Sequence, residues 1–216
     1  MTRAFRPAPR PAQPTCCADG APFIGDHSMS LLGDLLAHNR EFVSNREYEK
    51  FETDKFPDKN LAVLACMDAR LVELLPQAMG LKNGDAKLIK NAGALVTHQW
   101  GSVMRSLVVA VYELRAEEIC VVAHHDCGMR AIDPARILAS AQERGVSADT
   151  IATLRGAGID LDSWLKGFDN VHDSVRHTVA TIRSHPLMPK DIPVHGLVIH
   201  PATGQLDVVV DGYAPA

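Results

Sequence analysis

Nowhere in the 216 residues is there a run approaching the roughly 18 consecutive apolar side chains that a bilayer-spanning helix requires. Positive charge is not in excess either: 22 Lys and Arg stand against 26 Asp and Glu, a formal charge of −4. Nucleic acid and anionic membranes both select basic surfaces, so neither is the expected partner. The N-terminal stretch MTRAFRPAPRPAQP has arginines but no apolar segment after them, unlike a secretory signal, and the expected location is the cytoplasm. A disulfide framework is missing too. The five cysteines, at 16, 17, 66, 120 and 127, form an odd and irregular set, and in a reducing compartment metal binding or catalysis is the better use for such residues. No internal repeat is evident.

What is present reads as an ordinary globular chain, 46% hydrophobic and 22% charged. Its length suits one α/β domain better than two. Residues 1–28 are rich in Pro and Ala and lack periodicity. They cannot bury enough surface to offset the entropy of ordering, so a flexible extension is expected there; a translation start at Met29 is the other reading of that segment. Residues 29–216 are expected to form a single catalytic domain. Cys16 and Cys17 fall in the extension, and Cys120 lies in the apolar run Ile119 to Val122, where an inert buried thiol is expected.

From Met29, Leu32, Leu35 and Leu36 share one helical face. Leu61 to Ala65 is a short apolar run, the pattern of a strand covered on both faces. A helix is predicted at 71–79, a strand from Ala86 to Lys90, and a long helix from about Trp100 to Leu114 with a stripe of Val103, Leu107, Val111 and Leu114. A third strand follows from Glu118 to Ala123, then helical segments at 133–144, 147–155 and 169–184. Val194 to His200 and Leu206 to Val210, joined by Pro201-Ala202-Thr203-Gly204, read as an antiparallel hairpin. The alternation predicts an α/β fold: a mainly parallel β-sheet with an antiparallel edge strand and helices on both faces.

Cys66 follows directly on the first strand and His124 on the third, which puts both at the carboxyl ends of parallel strands, where open α/β sheets hold their sites. Cys127 lies three residues further, near enough to turn back onto the same ion. Two thiolates and an imidazole suit zinc, and three protein ligands without a fourth cysteine fit a catalytic ion better than a structural one. Two unrelated buried thiols are the alternative. Asp68 and Arg70 share the loop after Cys66: the aspartate can take a hydrogen bond from a water on the ion, and the arginine can hold that aspartate ionised. Asn91-Ala92-Gly93 follows the second strand, and its small residues let backbone approach a ligand.

C-M-D-A-R-L at 66–71, I-K-N-A-G-A at 89–94 and H-H-D-C-G-M at 124–129 resemble, in order and spacing, the three signatures of the β-class carbonic anhydrases. The resemblance runs from about Met29 to Tyr213 and looks closest to the short bacterial and archaeal branch. It implies Zn2+ on Cys66, His124 and Cys127, with Asp68 and Arg70 as the catalytic dyad and Asn91, Ala92 and Gly93 beside the substrate. Asp68 is also implied as a fourth ligand in a closed, inactive state. The implied reaction is reversible hydration of carbon dioxide to bicarbonate by zinc-bound hydroxide, in a homodimer or dimer of dimers whose N-terminal helices embrace the partner.

Lys90 stands where many relatives carry arginine, and His125, where relatives often have a small residue, reads as a solvated loop histidine or a proton relay. The glutamine that helps bind substrate in plant-type relatives has no counterpart. A carbonyl sulfide or carbon disulfide hydrolase on the same scaffold is the first alternative; a non-catalytic zinc-binding protein of this fold is the second.

Overall fold

A computed structural model describes residues 30–214. The predicted extension at 1–28, with Cys16 and Cys17, lies outside the described residues. The chain divides into two compact units, one ending at Glu52 and the other beginning at Thr53.

The first unit holds α1 (Leu31–Ser44) and a short 3-10 turn (Glu47–Phe51). The Ser30 hydroxyl caps α1 by accepting from the Gly33 N–H at 3.1 Å, so the helix expected from Met29 begins two residues later. Phe42 and Phe51 stack within this unit. None of the side chains of α1 is buried; Leu31, Leu32, Leu35, Leu36 and Val43 are all exposed.

The second unit is built on five strands: β1 (Leu61–Cys66), β2 (Ala86–Asn91), β3 (Glu118–His124), β4 (Val194–Ile199) and β5 (Leu206–Val210). Their order is β2-β1-β3-β4-β5. The first four are parallel, and β5 returns antiparallel beside β4. The turn between them closes where Gly204, at φ +74°, donates to the His200 carbonyl at 2.9 Å. That backbone conformation is cheap only for glycine.

Strand alternation explains why β1 has no polar side chain: Ala62 and Leu64 point into one core, Val63 and Ala65 into the other. On the first face lie α3 (Ser102–Leu114) and α7 (Val171–Ser184); on the second lies α2 (Leu71–Ala78). Each fully buried Leu or Val here contributes roughly 1.5–3 kcal/mol through removal from water. Three helices, α4 (Pro134–Glu143), α5 (Ala148–Gly156) and α6 (Leu161–Leu165), connect β3 to α7.

The predicted fold class holds, with differences in detail. The face of α3 that is fully buried carries Met104, Leu107 and Ala110, while Val103, Val111 and Leu114 are only partly covered. Both sets are centred on Leu107, so the helix turns the predicted face to the sheet and only the depth of the flanking positions differs. The short α6, capped by Asp160, was not predicted. Helix α7 begins at Val171, after Asn170 caps the His172 and Asp173 N–H groups.

Strand order reverses around β1: its successor β2 pairs on one side and β3 on the other. The crevice between the carboxyl ends of β1 and β3 is therefore the switch point where such sheets place ligands.

Candidate metal centre

Cys66 is the last residue of β1 and His124 the last of β3. Asp126, at φ +55°, bends the chain so that Cys127 returns beneath the same crevice; aspartate tolerates this left-handed conformation better than most residues. The three side chains meet. Their ligating atoms all lie within 4.8 Å of one another, and all three residues are buried. The two sulfurs are 3.8 Å apart.

His124 is held in one tautomer. Its Nδ1 lies 2.7 Å from the His125 carbonyl and donates to it, which leaves the Nε2 lone pair facing the sulfurs. That Nε2 is buried with no hydrogen-bond partner. An orphaned buried nitrogen costs about 1–3 kcal/mol unless something meets it. Two sulfurs and an imidazole nitrogen around it form a donor set chemically matched to a zinc-type ion. The residues fit a metal.

The sulfurs are electrostatically coupled. The Cys127 thiol donates to Cys66, which pushes Cys66 well below the ordinary thiol range, and Cys127 is held protonated in turn. Cys66 also accepts from the backbone N–H groups of Asp68 and Gly93. Cys127 accepts from the N–H of Met129. Burial works against the imidazolium of His124, but the Cys66 thiolate outweighs it and raises its affinity for a proton. A metal ion takes the place of those shared protons in such a site.

Arg70 grips Asp68 twice, Nε to Oδ1 at 2.9 Å and Nη2 to Oδ2 at 2.8 Å. The Arg70 backbone N–H adds a third bond to Oδ1. These bonds, together with the guanidinium charge, hold the Asp68 carboxyl far below its usual range. Asp68 Oδ2 stands 3.7 Å from His124 Nε2, so the carboxylate borders the centre while engaged with arginine. Arg70 also reaches the Asp126 carbonyl at 3.3 Å, tying the first loop to the third.

Asn91, the last residue of β2, pairs with Cys66 across the sheet, and Ala92 and Gly93 follow it. The Asn91 side chain closes its own loop, donating to the Leu95 carbonyl at 2.6 Å and accepting from its N–H at 3.1 Å. Gly93 is buried at φ +81°, and its N–H reaches Cys66. The Asn91 carbonyl accepts from Met67 at 2.9 Å, locking the ends of β1 and β2 together. Cys120 stays apart from this centre: burial first, then the Glu118 charge, push its thiol up to about 11.

Residues 61–206 match the family profile described as carbonic anhydrase. The chain belongs to the β-carbonic anhydrase family. It is accordingly an enzyme of the lyase class. It is similar to YvdA of Bacillus subtilis, provisionally named a carbonic anhydrase, at 58% identity over 187 residues, covering 87% of this chain and 95% of that one. The crystal structure of β-carbonic anhydrase isoform I from Trichomonas vaginalis superposes with a TM-score of 0.79 at 33% identity, covering 86% and 100% of the two chains. A carbon disulfide hydrolase of Acidithiobacillus thiooxidans is 29% identical over 181 residues, 78% of this chain and 81% of that one.

Sequence reasoning missed a histidine group next to this β-carbonic anhydrase centre. His125, expected as a solvated loop residue, is half-buried, with the rings of His172 and His200 6.0 and 5.9 Å away. A cavity of about 230 Å³ runs from His124 and Cys127 past His125 and Phe168 to His172. His172 and His200 come from the first turn of α7 and the end of β4, and nothing in their local sequence marks them.

Proposed function

We propose that this β-carbonic anhydrase catalyses the reversible hydration of carbon dioxide to bicarbonate, with Zn2+ held by Cys66, His124 and Cys127. The observation that carries the reading is the unpartnered Nε2 of His124 turned toward two sulfurs, beside a carboxylate kept ionised by arginine. When bound, the ion would acidify a water and so supply hydroxide near neutral pH, less strongly than with three neutral histidines because two thiolates cancel its charge. Asp68, unable to take up a proton at working pH, would accept a hydrogen bond from the attacking oxygen and so hold that oxygen's free lone pair toward carbon dioxide. Arg70 fixes the position of Asp68. Gly93, with no side chain, and the Asn91-Leu95 clasp leave a small rigid wall against which a linear triatomic substrate is oriented. With both oxygens of Asp68 engaged by Arg70, the geometry favours the open arrangement over one in which Asp68 ligates the ion.

The test is carbon dioxide hydration by stopped flow against measured zinc content. Turnover proportional to zinc is expected; full zinc with no hydration at any pH from 6 to 9 overturns the reading. Similarity to a carbon disulfide hydrolase supports a second reading, hydrolysis of carbon disulfide or carbonyl sulfide, and comparing turnover on the three gases separates the two.

The exposed leucines of α1 support a homodimer, since an apolar helix face of this kind is expected to be covered by protein. A single catalytic domain in the cytoplasm completes the proposal. Cys66, Cys120 and Cys127 are all free thiols, and among the described residues no helix is long and apolar enough to cross a membrane.

A further inference from the structure

Met129 is closely approached by two glycines, Gly167 at its backbone and Gly93 at its side chain. A Cβ on Gly167 would overlap the Met129 carbonyl oxygen and come within 2.8 Å of its carbonyl carbon. The neighbouring Phe168 N–H points at the same carbonyl, 3.4 Å away. On the other side, the Met129 side chain approaches to 3.1 Å of where a Cβ on Gly93 would stand. Gly167 does not have a positive φ, so what it supplies is the absence of a side chain and not backbone freedom.

Met129 and Gly93 are each connected to a sulfur. The N–H of Met129 donates to Cys127, and the N–H of Gly93 donates to Cys66. Hydrogen bonds of this kind withdraw electron density from thiolates and tune the ion they hold. We infer that Gly167 is a positioning residue of the metal centre: by letting the segment before α7 close onto the Met129 carbonyl, it keeps Met129 where its N–H meets Cys127 and its side chain buttresses Gly93 against Cys66. The segment 167–168, about 40 residues beyond Cys127 and separated from it by three helices, thereby sets how strongly the two sulfurs donate. This rests on Cys66, His124 and Cys127 being the ligands, and it needs no assumption about the substrate.

The test uses the full chain loaded with cobalt(II), whose thiolate charge-transfer band reports sulfur donation directly, together with metal affinity by competition against a chromophoric chelator. Gly167→Ala is expected to move the band to longer wavelength and to weaken affinity about tenfold or more, the usual consequence of losing an outer-shell partner. Gly156→Ala, where a Cβ meets open space, is expected to change neither. Should Gly167→Ala fail to fold, Met129→Ala is expected to shift the band in the same direction through Cys66, with Met129→Leu, close in volume, restoring it. A folded Gly167→Ala with an unchanged band and affinity overturns the inference, as does an unmoved band in Met129→Ala. A native protein with no thiolate band at all overturns the ligand assignment itself, and the inference with it.

Discussion

Arg70 and Asp68 face each other fork to fork, with parallel bonds of 2.9 and 2.8 Å on a pair that borders the unpartnered nitrogen of His124. Lysine cannot reproduce that geometry because its ammonium is a single point charge. Asp68→Asn is expected to retain zinc while losing roughly 10²-fold or more in kcat, the scale of a lost acid–base group. Arg70→Lys is expected to lose about tenfold, because the charge survives and the fork does not. Stopped-flow kinetics with zinc content on the same samples checks both; an Asp68→Asn enzyme of native kcat removes Asp68 from the mechanism.

Removing either sulfur ligand should act on the metal before it acts on the reaction. Cys66→Ala and Cys127→Ala are each expected to emerge with less than about a tenth of the native zinc and no measurable hydration, since two protein ligands hold the ion poorly. Elemental analysis after dialysis gives the answer directly.

Acid should spare the dyad longer than an ordinary carboxylate. The folded pKa of Asp68 is depressed, so its contribution to stability is fully present above the unfolded value of about 3.9. That contribution is lost as pH falls further, toward the folded value. The difference in Tm between the native protein and Asp68→Asn should therefore be constant from pH 8 to 5 and shrink only below about pH 4. A difference that stays flat as pH falls from 4 to 2 would show Asp68 to be an unperturbed carboxylate.

Cys120 provides the contrast among the buried thiols. With its thiol pushed up to about 11, it is uncharged throughout the working range and has no ligand role. Cys120→Val is expected to leave zinc content unchanged and turnover within about twofold, a near-isosteric change in a packed core. Loss of metal in that variant would contradict the assignment of the ligands.

The apolar face of α1 invites a direct measurement of assembly. Leu35→Asp is expected to convert a dimer to monomers in analytical ultracentrifugation while the far-UV spectrum stays native. An unchanged native-like dimer would place the contact elsewhere.

The sequence made some of this legible and not the rest. Leu61 to Ala65 carries the pattern of a strand covered on both faces, and that pattern places Cys66 at a strand end. His124 was located by the same argument through Ile119 to Ala123. The orientation of α3 was legible, with Leu107 at the centre of its buried face, but the deep burial of Met104 and Ala110 beside it was not, because hydrophobicity alone ranks valine above alanine. Gly167, His172 and His200 carry no local signature, because their roles arise from where α7 and β4 end in space. The pairing of Arg70 with Asp68 was expected from their shared loop, but the link from Arg70 to the Asp126 carbonyl joins loops 56 residues apart and was beyond reach.

Cys66 and Cys127 are 61 residues apart in sequence, and they come together only because β1 and β3 lie side by side. The parallel pairing must therefore form during folding before a complete cage can exist, and such non-local pairing is slow. Capture of the ion then comes late: it cannot nucleate this protein as it does a zinc finger, and acts instead as a latch on a sheet already assembled. By mass action that latch adds stability in proportion to the logarithm of available metal, so scarcity should cost the cell function well before it costs it the fold.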